Sequence, residues 1–102
     1  PFSKAVSNIL ANAVAYTEAG KNVSVYMEGR SLVVENECKP IPDDEIRRLF
    51  EPFYRPDFSR SRERGGNGLG LYIVDTLLTS MDIPYSFKPM KSPTGMCFTI
   101  HL

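Results

Sequence analysis

The stretch Gly65-Gly66-Asn67-Gly68-Leu69-Gly70 sets glycines at alternate positions directly before a segment of helical periodicity. Free backbone N–H groups and the helix dipole meet at such a junction, and both favour an anion, phosphate above all. Alternating glycines also let the backbone close over a ligand at φ values that other residues avoid. No Lys-Ser/Thr pair follows, so this is not a P-loop, and the GxGxG spacing without a preceding strand is not a dinucleotide fingerprint. Glycines that merely end a loop are the plain alternative. Upstream, residues 55–64 hold Arg55, Arg60, Arg62 and Arg64 against Asp57 and Glu63, a local charge of +2. The planar fork of Arg matches phosphate oxygens. An Arg-rich loop running into a glycine turn has the make-up of a lid over a polyphosphate, or of a solvated charged loop.

A second constellation lies near the start of the chain. Asn8 and Asn12 stand one helical turn apart, together with Lys4, Ala11 and Ala15 and away from the apolar stripe of the same segment. Asn is a poor helix former, so two of them on one face ask for a reason. Their amide oxygens suit a hard cation such as Mg²⁺, which takes oxygen ligands and keeps several waters, or the donors suit phosphates. Taken alone, solvation of two surface amides explains the pair as well.

The elements that must position these groups can be read from periodicity. Residues 2–16 form a helix with Phe2, Ala5, Val6, Ile9, Leu10, Ala13 and Val14 on one stripe, closed by Gly20. Val23, Val25 and Met27 alternate with polar residues, a turn falls at Gly29-Arg30, and Leu32–Val34 continue as the partner strand up to Asn36. Pro40 and Pro42 break the chain, Asp43 is a candidate N-cap, and a short helix runs over Asp44–Phe50 until Pro52. Residues 55–68 read as a long loop, Leu69–Met81 as a helix carrying Leu71, Val74, Leu78 and Met81 inward, and Pro84–Lys88 and Met96–Leu102 as two strands. In the last strand Met96, Phe98, Ile100 and Leu102 are expected inward, with Cys97, Thr99 and His101 outward. This order predicts one α/β (α+β) domain, a two-layer sandwich with a mixed, mostly antiparallel sheet and helices on one face.

Composition sets the outer bounds. The 102 residues are 42% apolar, with 12 Lys+Arg against 12 Asp+Glu, enough for a single core-bearing domain of zero net charge. That balance gives no field for nucleic acid or an anionic membrane. It hides two local fields, because residues 35–51 carry six acidic and three basic residues opposite the Arg-rich loop. Cys38 and Cys97 lie far apart with no CxxC, as free thiols do, and no apolar run reaches the ~20 residues of a membrane span. The chain opens at Pro1 without Met, as a piece of a longer protein would.

Taken together, NILANAVAYT, then VVENECKPIPDDEIRRLFEPFYRPDFSRSRERGGNGLGLYIV, then TGMCFTIHL resemble the N, G1, F, G2 and G3 boxes of the ATP-binding catalytic domain of sensor histidine kinases. The resemblance spans nearly the whole chain, and FEPFYR followed at this interval by GGNGLGL is its most specific part. It implies the Bergerat ATP-binding fold over residues 1–102. It also implies Mg²⁺ and phosphates at Asn8 and Asn12, the latter as principal metal ligand, with Tyr16 lining the site. Asn36 falls where the family has an adenine-reading Asp. Its amide can accept from the adenine amino group and donate to the adjacent ring nitrogen. Ile41, Leu69, Leu71 and Thr99 are further nucleotide-site positions by the same resemblance. Arg55 and Arg60 match lid arginines, Gly66, Gly68 and Gly70 the phosphate-facing glycines, Phe50, Phe53 and Tyr54 the aromatic box at the lid's root, and Gly95 the G3 turn.

The implied activity is transfer of the ATP γ-phosphoryl group to a histidine on the kinase's own dimerisation domain, within a homodimer, for relay to a response-regulator Asp. The implied location is the cytoplasmic side of a membrane sensor. Three features depart from the pattern. Cys38 and Pro40 replace glycines and stiffen the base loop, Ala15 replaces a phosphate-reaching Lys, and the sole histidine, His101, is no phosphoacceptor. A non-catalytic ATP-binding module is therefore an alternative. So is a gyrase- or chaperone-like ATPase or an anti-sigma serine kinase, although ATPases of this fold place a general-base Glu where Asn8 stands, and an amide cannot take a proton at neutral pH.

Overall fold

The structure, a computed structural model, describes residues 2–54 and 70–102. Helix α1 (Phe2–Tyr16) leads into strands β1 (Val23–Glu28) and β2 (Ser31–Glu37), then helices α2 (Asp43–Arg48) and α3 (Gly70–Ser80), then strands β3 (Tyr85–Lys91) and β4 (Thr94–His101). The four strands form one sheet in the order β1-β2-β4-β3. All three described pairings are antiparallel, so the expected sandwich is present without the parallel pair that a mixed sheet requires.

Helix α1 buries Ala5, Ile9 and Ala13 against α3, which buries Leu71, Val74 and Leu78. Beneath them lie Val34 from β2 and Met96, Phe98 and Ile100 from β4, the two central strands. Val14 does not join this core and is 64% exposed, because it is the outermost position of the α1 stripe. The helix ends at Tyr16 without Gly20: the N–H and the hydroxyl of Thr17 both donate to the Ala13 carbonyl, at 3.0 and 2.7 Å. Gly20, at φ 80°, serves the turn into β1.

Three other expectations shift. The N-cap of α2 is Pro42, whose carbonyl accepts from the Ile46 N–H at 3.0 Å, so Asp43 is the first helical residue and makes no side-chain cap. Strand β3 runs through Pro89, which is tolerated because β3 is an edge strand and needs no donor on its outer side. Leu102 lies beyond the β4 ladder and is exposed. Helix α3 ends in a Schellman arrangement: Ile83 donates to the Leu78 carbonyl and Asp82 to that of Thr79, with Asp82 left-handed at φ 55°.

Candidate functional site

The site grows from the C-terminal half of α1 and the adjoining end of β2. Two backbone bonds tie the connection after α1 to the end of β2: Glu18 donates to Glu37 at 3.1 Å, and Glu37 donates to Asn22 at 3.0 Å. Asn8 and Asn12 are half-buried on α1 and not on a solvated face. Asn8 sits about 60° around the helix from the fully buried Ala5, close enough to fall under the neighbouring layer. Its Nδ2 is completely buried with no hydrogen-bond partner. Tyr16, one turn beyond Asn12, packs against the core.

Asn36 is the one buried polar residue of the described core, and its Nδ2 is likewise sealed and unpartnered. These two nitrogens are the only such buried side-chain atoms among the described residues. A sealed amide donor without an acceptor costs roughly 1–3 kcal/mol, so each of the two marks a place where a further acceptor would be favourable. Asn36 is paired in register with Val23 on one side and Met96 on the other. Beside it Cys38 is 1% exposed. Burial pushes the Cys38 thiol up, and the Asn36 amide next to it pulls the thiol partly back down.

Ile41 and Leu71 are buried in the same core cluster as Ala13, Cys38 and Met96, and Gly70 opens α3. Thr99 does not join them. It alternates with Phe98 and Ile100 and shares a row with Val33 and Ser86 on the sheet face turned away from the helices. The residue of β4 that does meet Asn36 is Met96, which sequence reasoning missed because the β2–β4 register is not written in either strand alone. Gly95 was also misplaced: it lies within β4 and not in a turn. A Cβ there would run into the carbonyl oxygen of Asn36, with the Asn36 carbonyl carbon and the Glu37 Cα at 3.0 Å. Arg55, Arg60, Gly66, Gly68 and Leu69 lie outside the described residues.

The aromatic box divides. Phe50 packs on Tyr85 and Phe87, at 5.9 and 5.7 Å between ring centroids. The Tyr54 hydroxyl donates to Glu45 at 2.8 Å, which pushes the tyrosine up in pKa, and the Arg48 guanidinium lies over its ring at 5.7 Å. Phe53, expected to pack, is 70% exposed with a left-handed φ of 71°. His101 is exposed and bonded to Ser31, both cysteines are free, and no described helix is long and apolar enough to cross a membrane. Among the described residues no group of three or more His, Cys, Asp or Glu could hold a metal ion.

The family model described as "Histidine kinase-, DNA gyrase B-, and HSP90-like ATPase" matches residues 1–102. The chain belongs to this ATPase family. It is 42% identical over 81 residues to "Probable sensor kinase SilS" of Salmonella typhimurium, covering 76% of this chain and 16% of that protein. It is 34% identical over 101 residues to "Sensor histidine protein kinase HK06" of Streptococcus pneumoniae, covering 99% and 22%. Among solved structures, the "Mycobacterial sensor histidine kinase MprB" superposes with a TM-score of 0.73 at 28% identity, over 95% of this chain and 68% of that one. The chain thus spans less than a quarter of the length of these two curated relatives, and its fold is that of a histidine-kinase ATPase domain.

Proposed function

We propose that this domain binds Mg-ATP and passes the γ-phosphoryl group to a histidine on the dimerisation domain of a sensor kinase, for onward transfer to an aspartate of a response regulator. The observation that carries the reading is the pair of sealed, unpartnered amide nitrogens of Asn8 and Asn36, one on α1 and one on β2. A nucleotide supplies acceptors of both kinds needed, phosphate oxygen for Asn8 and a base nitrogen for Asn36.

The donor chemistry fits Mg²⁺, because the oxygens of Asn12 and Asn8 are hard ligands of the type that ion takes alongside waters and phosphates. Bound there, Mg²⁺ would neutralise charge on the triphosphate. Tyr16, Ile41 and Leu71 form apolar walls against which the base and ribose pack, and Gly70 brings the N-terminus of α3 toward the phosphates. By their place in the sequence, Arg55, Arg60, Gly66, Gly68 and Leu69 belong to the lid over the triphosphate. In the transfer, an imidazole nitrogen of the acceptor histidine bonds to the γ-phosphorus as the bond to the β,γ-bridging oxygen breaks, and ADP leaves. No residue of the described site is a base for water: Asn8 can orient but cannot accept a proton, which favours transfer over hydrolysis. The domain's work is positioning and charge neutralisation.

A non-catalytic nucleotide module is the second reading, favoured by the half-buried Ala15 on α1, which brings no cation to the phosphates, and by Cys38 within the base loop. The two separate in one experiment. Supplied with the histidine-bearing dimerisation domain and ATP labelled at the γ position, the kinase forms an acid-labile phosphohistidine, and Asn12→Ala abolishes it with the fold intact. Binding of Mg-ATP without any label identifies the module. Absence of Mg-dependent ATP binding in calorimetry refutes both.

A further inference from the structure

The base-reading position carries more than its role in holding adenine requires. A carboxylate can only accept hydrogen bonds at neutral pH, so it pairs with a 6-amino group and meets a 6-oxo group lone pair to lone pair. The amide of Asn36 has both polarities. In one orientation Oδ1 accepts from a 6-amino group while Nδ2 donates to N1. Turned by half a revolution about Cβ–Cγ, Nδ2 donates to a 6-oxo group and Oδ1 accepts from N1–H.

A buried amide is ordinarily held in one of these orientations by its protein partners. Here no oxygen or nitrogen of the described residues takes the Nδ2 hydrogens, although the residue is only 5% exposed. Its neighbour is Cys38, equally sealed, whose thiol the amide pulls down through its N–H end; a thiol is a weak donor as well as a weak acceptor, so it can meet the carbonyl end too. The backbone does not share this freedom. Asn36 is laddered to Val23 and Met96, and the missing side chain of Gly95 lets β4 close directly onto its carbonyl. The structure therefore fixes where the amide stands, and the thiol beside it can meet either end of it.

We propose that Asn36, set against Cys38, makes this site accept 6-oxopurine nucleoside triphosphates as well as ATP. The proposal rests on the nucleotide-site reading given above. A bidentate amide contact of this sort discriminates when its orientation is fixed, and it loses that discrimination when both orientations are available.

The decisive probe is ITP, whose base differs from adenine by a 6-oxo group and the N1 proton it brings. Calorimetric titration of the wild-type protein with Mg-ATP and Mg-ITP is expected to give dissociation constants within about tenfold of each other, and Asn36→Asp is expected to widen the gap at least about tenfold by weakening ITP. A wild-type gap larger than tenfold, or a gap unchanged in a folded Asn36→Asp protein, overturns the proposal. Should the Asp variant fail to fold by circular dichroism, the wild-type ratio alone decides it. Failure of the underlying site looks different: either ATP does not bind at all, or its binding survives Asn36→Leu unchanged, and the proposal then falls with the site.

Discussion

Two regions of this small domain treat buried polarity in opposite ways. At the β3 side, Phe50, Tyr85, Phe87 and Phe98 form a chain of ring contacts between 5.2 and 5.9 Å, and the Tyr85 hydroxyl is completed inside the protein by Asp75 at 2.6 Å. On α1 and on β2, Asn8 and Asn36 each bury a donor that nothing among the described residues completes. The first region gains stability from satisfied contacts. The second keeps a deficit that a ligand can repair, so binding there recovers free energy that folding left unused.

This contrast can be broken or sharpened by substitution. The largest effect is expected from Phe98→Ala, which empties the centre of the aromatic region and should cost about 3–5 kcal/mol in urea unfolding, a large part of the stability of a domain this size. Gly95→Ala should cost about 1–3 kcal/mol by overpacking against the Asn36 carbonyl and should also weaken Mg-ATP binding, which Phe98→Ala variants that remain folded should not do directly. Tyr85→Phe should cost about 1 kcal/mol through the lost bond to Asp75 and leave nucleotide affinity unchanged.

The same tyrosine predicts a pH effect. Burial first, and then the bond to Asp75, raise its pKa above the ordinary tyrosine value of about 10. The folded state therefore holds its proton more tightly than the unfolded chain. The stability this contributes is complete below about pH 10 and is lost as pH rises toward the folded pKa, and Tyr85→Phe should flatten that part of the unfolding curve. The smallest stability effect belongs to the other region. Asn8→Ala should gain roughly 0.5 kcal/mol from helix propensity alone, while Mg-ATP affinity falls at least about tenfold. A destabilised Asn8→Ala protein, or one with unchanged affinity, would erase the contrast.

What was legible in the sequence is what depends on neighbours along the chain. The stripe of α1, the hairpin across Gly29-Arg30 and the inward set Met96, Phe98 and Ile100 follow from periodicities of 3.6 and 2, and they stand in the structure. Val14 and Leu102 were misjudged because a stripe has margins and a strand has an end, and only tertiary cover decides which positions fall beyond them. Pro89 shortened the expected β3 because its tolerance depends on edge position, which is a property of strand order. The site shows the same divide. Asn8 and Asn12 could be singled out as residue types in an odd place and Asn36 through the family resemblance, whereas Met96 opposite Asn36, and Thr99 on the far face, are consequences of register between strands 60 residues apart.

Val25 and Met27, which alternate with polar residues along β1, lie about half exposed, at 51% and 56%. The opposite edge, β3, presents Lys88, Pro89 and Lys91, two charges and a residue with no N–H to offer. Such an edge resists recruitment of another strand, while a short apolar edge invites it. The two edges therefore differ in their capacity for growth: the charges and proline of β3 oppose addition of a strand more than the residues of β1 do.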